Sequence, residues 1–181
     1  MRPIVVVVDT LPAEGKTFPL EIPAQEINGF LASEGVSEAE AVGDAVGEAK
    51  AYRSGRDVFV LGTVRVRIAY QCVRCLEPFE EDLKTDFHRV FSAEEEYGAG
   101  EVELRKEDLD VEPIEGDSID LARVAAEEIS LALRAHPVCR EACRGLCPTC
   151  GANLNAEQCR CPPAPVDPRF AVLGTVAPKK K

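Results

Sequence analysis

An α+β fold is predicted for this chain: an antiparallel β-sheet, a helix packed on it, and a cysteine-rich, zinc-binding C-terminal segment. Three observations carry the prediction. From Asp57 to Cys72, the residues Val58, Val60, Val64, Val66, Ile68 and Tyr70 all occupy even positions, the two-residue period of a strand with one buried face. Between Asp117 and Pro137, Leu121, Val124, Ala125, Ile129 and Ala132 recur at helical spacing. Six of the eight cysteines fall between Cys139 and Cys161. A chain of 181 residues with 45% hydrophobic content can bury one core and carry a small appendage. The expected division is a core domain over 1–136, a zinc-knuckle segment over 137–162 and a tail over 163–181.

Taken in order, Pro3 to Val8 is a continuous apolar, β-branched run and reads as a buried strand. Pro12, Gly15, Pro19 and Pro23 then break any long element. A short helix over Ala24 to Ala32 follows. The turn Arg53-Ser54-Gly55-Arg56 makes Glu40 to Tyr52 the hairpin partner of the strand at Asp57, although its alanines also suit a helix. After Cys75, the spacing of Phe79, Leu83, Phe87 and Phe91 fits a strand or a helix stripe. Strand is preferred, because Cys72 to Cys75 reads as a tight reversal and aromatics favour sheets. Ser92 to Gly116 reads as an acidic loop with one extended piece at Leu109 to Ile114. The helix is expected to start at Asp117 or Ser118, either able to cap its free amides, with Leu131 and Leu133 widening its apolar stripe and Pro137 stopping it. No internal repeat is visible.

The cysteines follow the pattern Cys139-x3-Cys143-x3-Cys147-x2-Cys150-x8-Cys159-x-Cys161. Zinc takes four thiolates in a tetrahedron, and a CxxC turn wraps two of them around one ion. Cys147-Pro148-Thr149-Cys150-Gly151 has that form, and the loop containing Asn153 and Asn155 is long enough to bring Cys159 and Cys161 back to close the set. The preferred site is therefore Cys147, Cys150, Cys159 and Cys161. Cys72, Cys75, Cys139 and Cys143 remain as a second site clipping sheet to tail, unless Cys143 joins a tail site with Cys147, Cys150 and one of the last two cysteines. Cys72 also suits a core thiol. One or two structural zinc ions would supply the folding free energy that a short polar segment cannot obtain by burial.

Composition narrows the function. A formal charge of -11 argues against indiscriminate coating of nucleic acid. The charge is polarised: Glu77 to Glu128 holds 19 acidic and 5 basic residues, whereas Pro137 to Lys181 holds 7 basic and 3 acidic. The apolar run near the start is too short to span a membrane or to act as a secretory signal, so a cytoplasmic protein is expected, where close-set cysteines are metal ligands or redox centres. His88 and His136 lie outside the cluster, and no phosphate loop, nucleophile elbow or HExxH pair is present. No catalytic residues and no small-molecule substrate are predicted.

Four blocks carry a resemblance: Cys72-Val73-Arg74-Cys75-Leu76; Cys143 to Asn155; Cys159-Arg160-Cys161; and Asp167-Pro168-Arg169-Phe170-Ala171-Val172-Leu173 before the lysine end. In order and spacing the chain from about Asp57 resembles the bacterial YceD family of large ribosomal RNA subunit accumulation proteins. The resemblance implies a non-enzymatic role in ribosome biogenesis, with ribosomal RNA or its precursor, or large-subunit ribosomal proteins, as partner. Arg140, Arg144 and Arg160, held together by a knuckle, would then present positive charge to phosphate. Phe170, Val172 and Leu173 would dock on the domain or a partner. Two other readings stand beside it: a thiol-disulfide redox protein using Cys72 and Cys75, and an acidic adaptor that binds basic ribosomal proteins without touching RNA.

Overall fold

The computed structural model describes residues 1–92, 111–114, 116–162 and 169. Its centre is the alternating run read from the sequence. Strand β5 (Asp57–Gln71) pairs along its whole length with β6 (Pro78–Ser92), antiparallel, from Asp57 opposite Ser92 to Gln71 opposite Pro78. On its other side β5 pairs with β4 (Ala45–Ser54) and, further along, with the short β3 (Ala39–Ala41). Edge strand β2 (Lys16–Ile22) lies outside β4, and β7 (Val111–Pro113) lies outside β6, giving the order β2-β4-β5-β6-β7. Helix α1 (Ala24–Ser33) and helix α2 (Leu121–Ala132) share one apolar core with the sheet. A separate two-stranded ribbon joins β1 (Val5–Val7) to β8 (Ser118–Asp120).

The core is built from the side chains that the two periods select. Val58, Val60, Val64, Val66, Ile68 and Tyr70 of β5 are buried, as are Ala45, Ala49 and Ala51 of β4, whose small side chains suit a strand under packed helices. Ile27 and Leu31 from α1 and Leu121, Ala122, Ala125 and Ile129 from α2 close over them. On the opposite face the Tyr52 and Phe59 rings stack at 5.2 Å, with His88 next to Phe59 at 6.2 Å.

The α+β prediction therefore stands, with local corrections. The run Pro3 to Val8 is not a continuous buried strand: only Val5–Val7 is extended, Val6 alone of the three is buried, and a 3-10 turn over Val8–Thr10 follows. The prolines do not break the next element, because Pro19 sits on an edge strand, where a missing N–H need not interrupt the sheet. The single partner expected over Glu40 to Tyr52 is two strands, β3 and β4. The sheet is mixed rather than purely antiparallel, since β6 and β7 run parallel. Helix α2 starts later than expected: Ser118–Asp120 is extended, and Asp120 is the cap, its carboxylate accepting from the Ala122 amide at 3.0 Å. Leu131 does not widen the stripe, being 75% exposed. Most of the acidic loop, residues 93–110, lies outside the described residues.

Candidate metal centres

Each CxxC segment folds into the same turn. At the reversal from β5 to β6, the Leu76 amide donates to the Cys72 carbonyl at 2.9 Å and the Cys72 amide donates to the Glu77 carbonyl at 2.9 Å. Around Cys147 the pattern repeats at the same offsets, Gly151 N–H to the Cys147 carbonyl at 2.9 Å and Cys147 N–H to the Ala152 carbonyl at 2.8 Å. The residue after the second cysteine is left-handed in both, with φ 61° at Leu76 and 74° at Gly151. Two equivalent knuckles thus exist where no internal repeat was legible, because one of them carries leucine where glycine is the easier residue.

Each knuckle meets a second pair of cysteines. Cys139 and Cys143, just beyond α2, come to the first, and Cys159 and Cys161 come to the second, all four sulfurs of each group lying within 4.8 Å of one another. Within the first group the Cys72 and Cys143 sulfurs are 3.8 Å apart, and those of Cys75 and Cys139 also 3.8 Å. In the second, Cys150 and Cys159 are 3.6 Å apart and Cys159 and Cys147 3.2 Å. A tetrahedron with metal–sulfur bonds of about 2.3 Å has sulfur–sulfur edges of about 3.8 Å, whereas a disulfide needs about 2.05 Å. All eight cysteines are free thiols. Each group therefore has the donor set and spacing to hold one tetrahedral ion, and its thiolates are the ligands that zinc prefers.

The electrostatics favour a cation at both. Burial opposes ionisation of Cys72, but the backbone amides of Cys139, Cys75 and Arg74 outweigh it and lower its pKa to about 6. The amides of Cys150 and Thr149 lower Cys147 to about 6 as well. At the other extreme, burial and the surrounding sulfurs push Cys139 up to about 12, and hydrogen bonds with Cys159 and Cys150 push Cys161 up to about 12. Each group thus contains at least one thiolate favoured by fixed amides and one thiol whose proton its burial and neighbouring sulfurs retain. A dication replaces those protons with the positive charge the cluster lacks.

The two groups are joined by a compact polar seam. From the first knuckle, Arg74 Nη1 donates to the carbonyls of Cys143 at 3.0 Å and Glu141 at 3.1 Å, and the Arg74 carbonyl accepts from the Leu146 amide at 3.0 Å. Gly145, at φ +72°, lies against that carbonyl so closely that a Cβ would sit 2.9 Å from its oxygen. From the second group's loop, Asn155 caps the Arg144 amide at 2.9 Å and donates through Nδ2 to Cys143 Sγ at 3.4 Å, while Asn153 reaches Glu77 at 3.4 Å.

Of the residues singled out from the sequence, all eight cysteines fall into two groups with the memberships that spacing suggested, and Cys143 lies with Cys72, Cys75 and Cys139 rather than with Cys147. Arg140, Arg144 and Arg160 are exposed around the groups. Phe170, Val172 and Leu173 lie outside the described residues. Sequence reasoning missed the second roles of Arg74, Gly145 and Asn155. Their only signal is position inside the CxRC and CRGLCPTCGANLN strings, where Asn155 stands out only as part of the returning loop.

The profile of one protein family, Large ribosomal RNA subunit accumulation protein YceD, matches residues 60–176, more than half of the chain. Proteins of Mycobacterium bovis and Mycobacterium tuberculosis, both described as uncharacterized, are 32% identical over 116 residues, covering 64% of this chain and 54% of each relative. The chloroplastic large ribosomal RNA subunit accumulation protein YCED homolog 1 of Arabidopsis thaliana is 28% identical over 137 residues, covering 64% of this chain and 43% of that protein. The chain spans about half the length of the curated relatives it matches. No solved structure matches it.

Proposed function

This chain belongs to the YceD family of large ribosomal RNA subunit accumulation proteins, and from that premise we propose that it promotes accumulation of large-subunit ribosomal RNA without catalysing a reaction. The observation that carries the chemical side is the pair of tetrathiolate groups. Catalytic zinc keeps a position open for water and commonly recruits histidine or carboxylate. Here four sulfurs complete each set, as in structural sites. Cys72, Cys75, Cys139 and Cys143 would hold one ion, and Cys147, Cys150, Cys159 and Cys161 another, each fixing backbone that has little apolar core of its own. The zinc supplies folding free energy when bound.

Arg140, Arg144 and Arg160 have two roles in this reading. A dication with four thiolates carries a net charge of about -2, so the arginines offset the sulfur charge nearby, and their outward guanidiniums meet phosphate or an acidic protein surface. The redox alternative is less well supported: Cys72 is fully buried, whereas dithiol exchange needs a thiolate that a partner can reach.

Deletion of the gene, with complementation by the wild-type chain and by a Cys147→Ser, Cys150→Ser variant, tests the proposal. The ratio of large- to small-subunit ribosomal RNA is expected to fall on deletion and to be restored by the wild type. An unchanged ratio in the deletion strain would sink the proposed role.

A further inference from the structure

We infer that the two metal centres form one thermodynamic unit, in which filling the tail centre raises the affinity of the sheet-to-tail centre, and that Asn155 is the positioning residue that couples them. The inference rests on the structural-zinc reading above and goes beyond it. Two tetrathiolate sites on one chain need not communicate, and the default for separate sites is independence.

The geometry argues against independence. Asn155 belongs to the loop that returns from Cys150 to Cys159, so it is ordered when the tail centre is closed. Its side chain reaches out of that loop into the other centre. Nδ2 donates to Cys143 Sγ at 3.4 Å, and Oδ1 accepts from the Arg144 amide at 2.9 Å, holding the backbone next to that cysteine. Asn153 steadies it, its Oδ1 accepting both the Asn155 backbone amide and Nδ2 at 3.0 Å. A donor aimed at a ligating sulfur stabilises the thiolate over the thiol, and groups that orient metal ligands in this way commonly change metal affinity by about 10- to 100-fold.

The seam also runs the other way. Only three residues separate Cys143 of one centre from Cys147 of the other, and two of the intervening backbone groups are spoken for: the Leu146 amide by the Arg74 carbonyl at 3.0 Å, and the Gly145 carbonyl by the Leu154 amide at 2.9 Å. The first of these ties the linker to the first knuckle and the second ties it to the tail loop. Closing either centre therefore orders part of the other, and the ordering entropy is met once rather than twice. Coupling of this kind is reciprocal, and about 5- to 150-fold is usual.

The test is a double-mutant cycle on the full chain, using zinc itself as the probe and a chromogenic chelator as competitor. Zinc per chain is counted first, then site affinities are measured for the wild type, Asn155→Ala, a Cys159→Ser, Cys161→Ser variant that lacks the tail centre, and the combination. Two ions per chain and a single concerted release are expected for the wild type. Removing the tail centre should weaken the remaining ion by about 10- to 100-fold. Asn155→Ala, which leaves all eight ligands in place, should still bind two ions but release them in two phases. In the background lacking the tail centre the same substitution should have little further effect, whereas in the chain whose tail centre is filled it should weaken the sheet-to-tail ion itself, which a merely loop-stabilising asparagine would not do. Equal affinity of the remaining ion with and without the tail centre, or unaltered concerted release in Asn155→Ala, would overturn the coupling while leaving the zinc reading intact. Fewer than two ions in the wild type would overturn the zinc reading, and the coupling with it.

Discussion

Two residues in the left-handed region set the fit of the knuckles. Gly145 is required twice over: its φ of +72° disfavours any side chain, and a Cβ would press on the Arg74 carbonyl at 2.9 Å. Gly145→Ala is expected to destabilise the C-terminal segment by about 1–2 kcal/mol from backbone strain alone, read as a lower melting temperature. Leu76 has the opposite sign. It holds φ 61° while its side chain is 53% exposed, so it carries the strain with little burial in return. Leu76→Gly should leave stability unchanged or raise it by roughly 0.5 kcal/mol, the gain in conformation being partly offset by a more flexible unfolded chain. At this scale the candidate ligands are legible because sulfur in CxxC spacing has few other uses. The residues that hold them were not, because an arginine, a glycine or an asparagine becomes specific only when its neighbour across the seam is known.

Elements were legible where one period ran long enough. Strand β5, with its run of alternating valines, lies within one residue of its expected bounds, whereas α2, legible from its stripe, is shorter at both ends than the stretch from Asp117 to Pro137. Short elements did not, since three residues carry no period. The β1-β8 ribbon depends on a partner more than a hundred positions away, and its function is to start α2. Asp120 accepts from the Ala122 amide and from the Ile4 amide, both at 3.0 Å, and the Leu121 amide donates to the Ile4 carbonyl at 3.0 Å. Asp120→Ala therefore removes a helix cap and a tether together. A loss of about 1–2 kcal/mol is expected, seen as a lower urea midpoint with the slope unchanged. The side of the sheet that α2 covers also explains Arg89, whose guanidinium on β6 meets Glu112 of β7 and Glu127 and Glu128 of α2, gathering three elements on one cation.

For the whole molecule, the 137–162 segment meets the sheet through the sulfurs of Cys72, Cys75, Cys139 and Cys143, the Arg74 hydrogen bonds, and a small apolar cluster of Cys72, Cys75 and Cys143 with Phe79, Val138 and Leu146. The metal-dependent part should respond to acid in a predictable direction. Cys72 and Cys147 are held at about 6, below an ordinary thiol value of about 8.5. Their thiolates thus contribute stability that is fully present above the ordinary value and is lost as the pH falls through about 6. Because any bound ion must give way to protons on its thiolates, acidification from pH 7.5 to 5 is expected to release it and abolish hydrogen-exchange protection over 137–162 while the β4-β5-β6 sheet stays protected. Protection that survived acidification unchanged would contradict it. By itself the sequence determined the class of fold, the long strand and helix, the two CxxC pairs and the family, since each is written in spacing along the chain, whereas the side that Cys143 takes was left open. Only the tertiary structure decided that the reversal between β5 and β6 lies against the tail, that the two knuckles are equivalent, and that Asn155 of one centre touches a sulfur of the other. Those are contacts between distant or neighbouring loops, set by how the sheet, α2 and the tail pack together, and no local pattern encodes them.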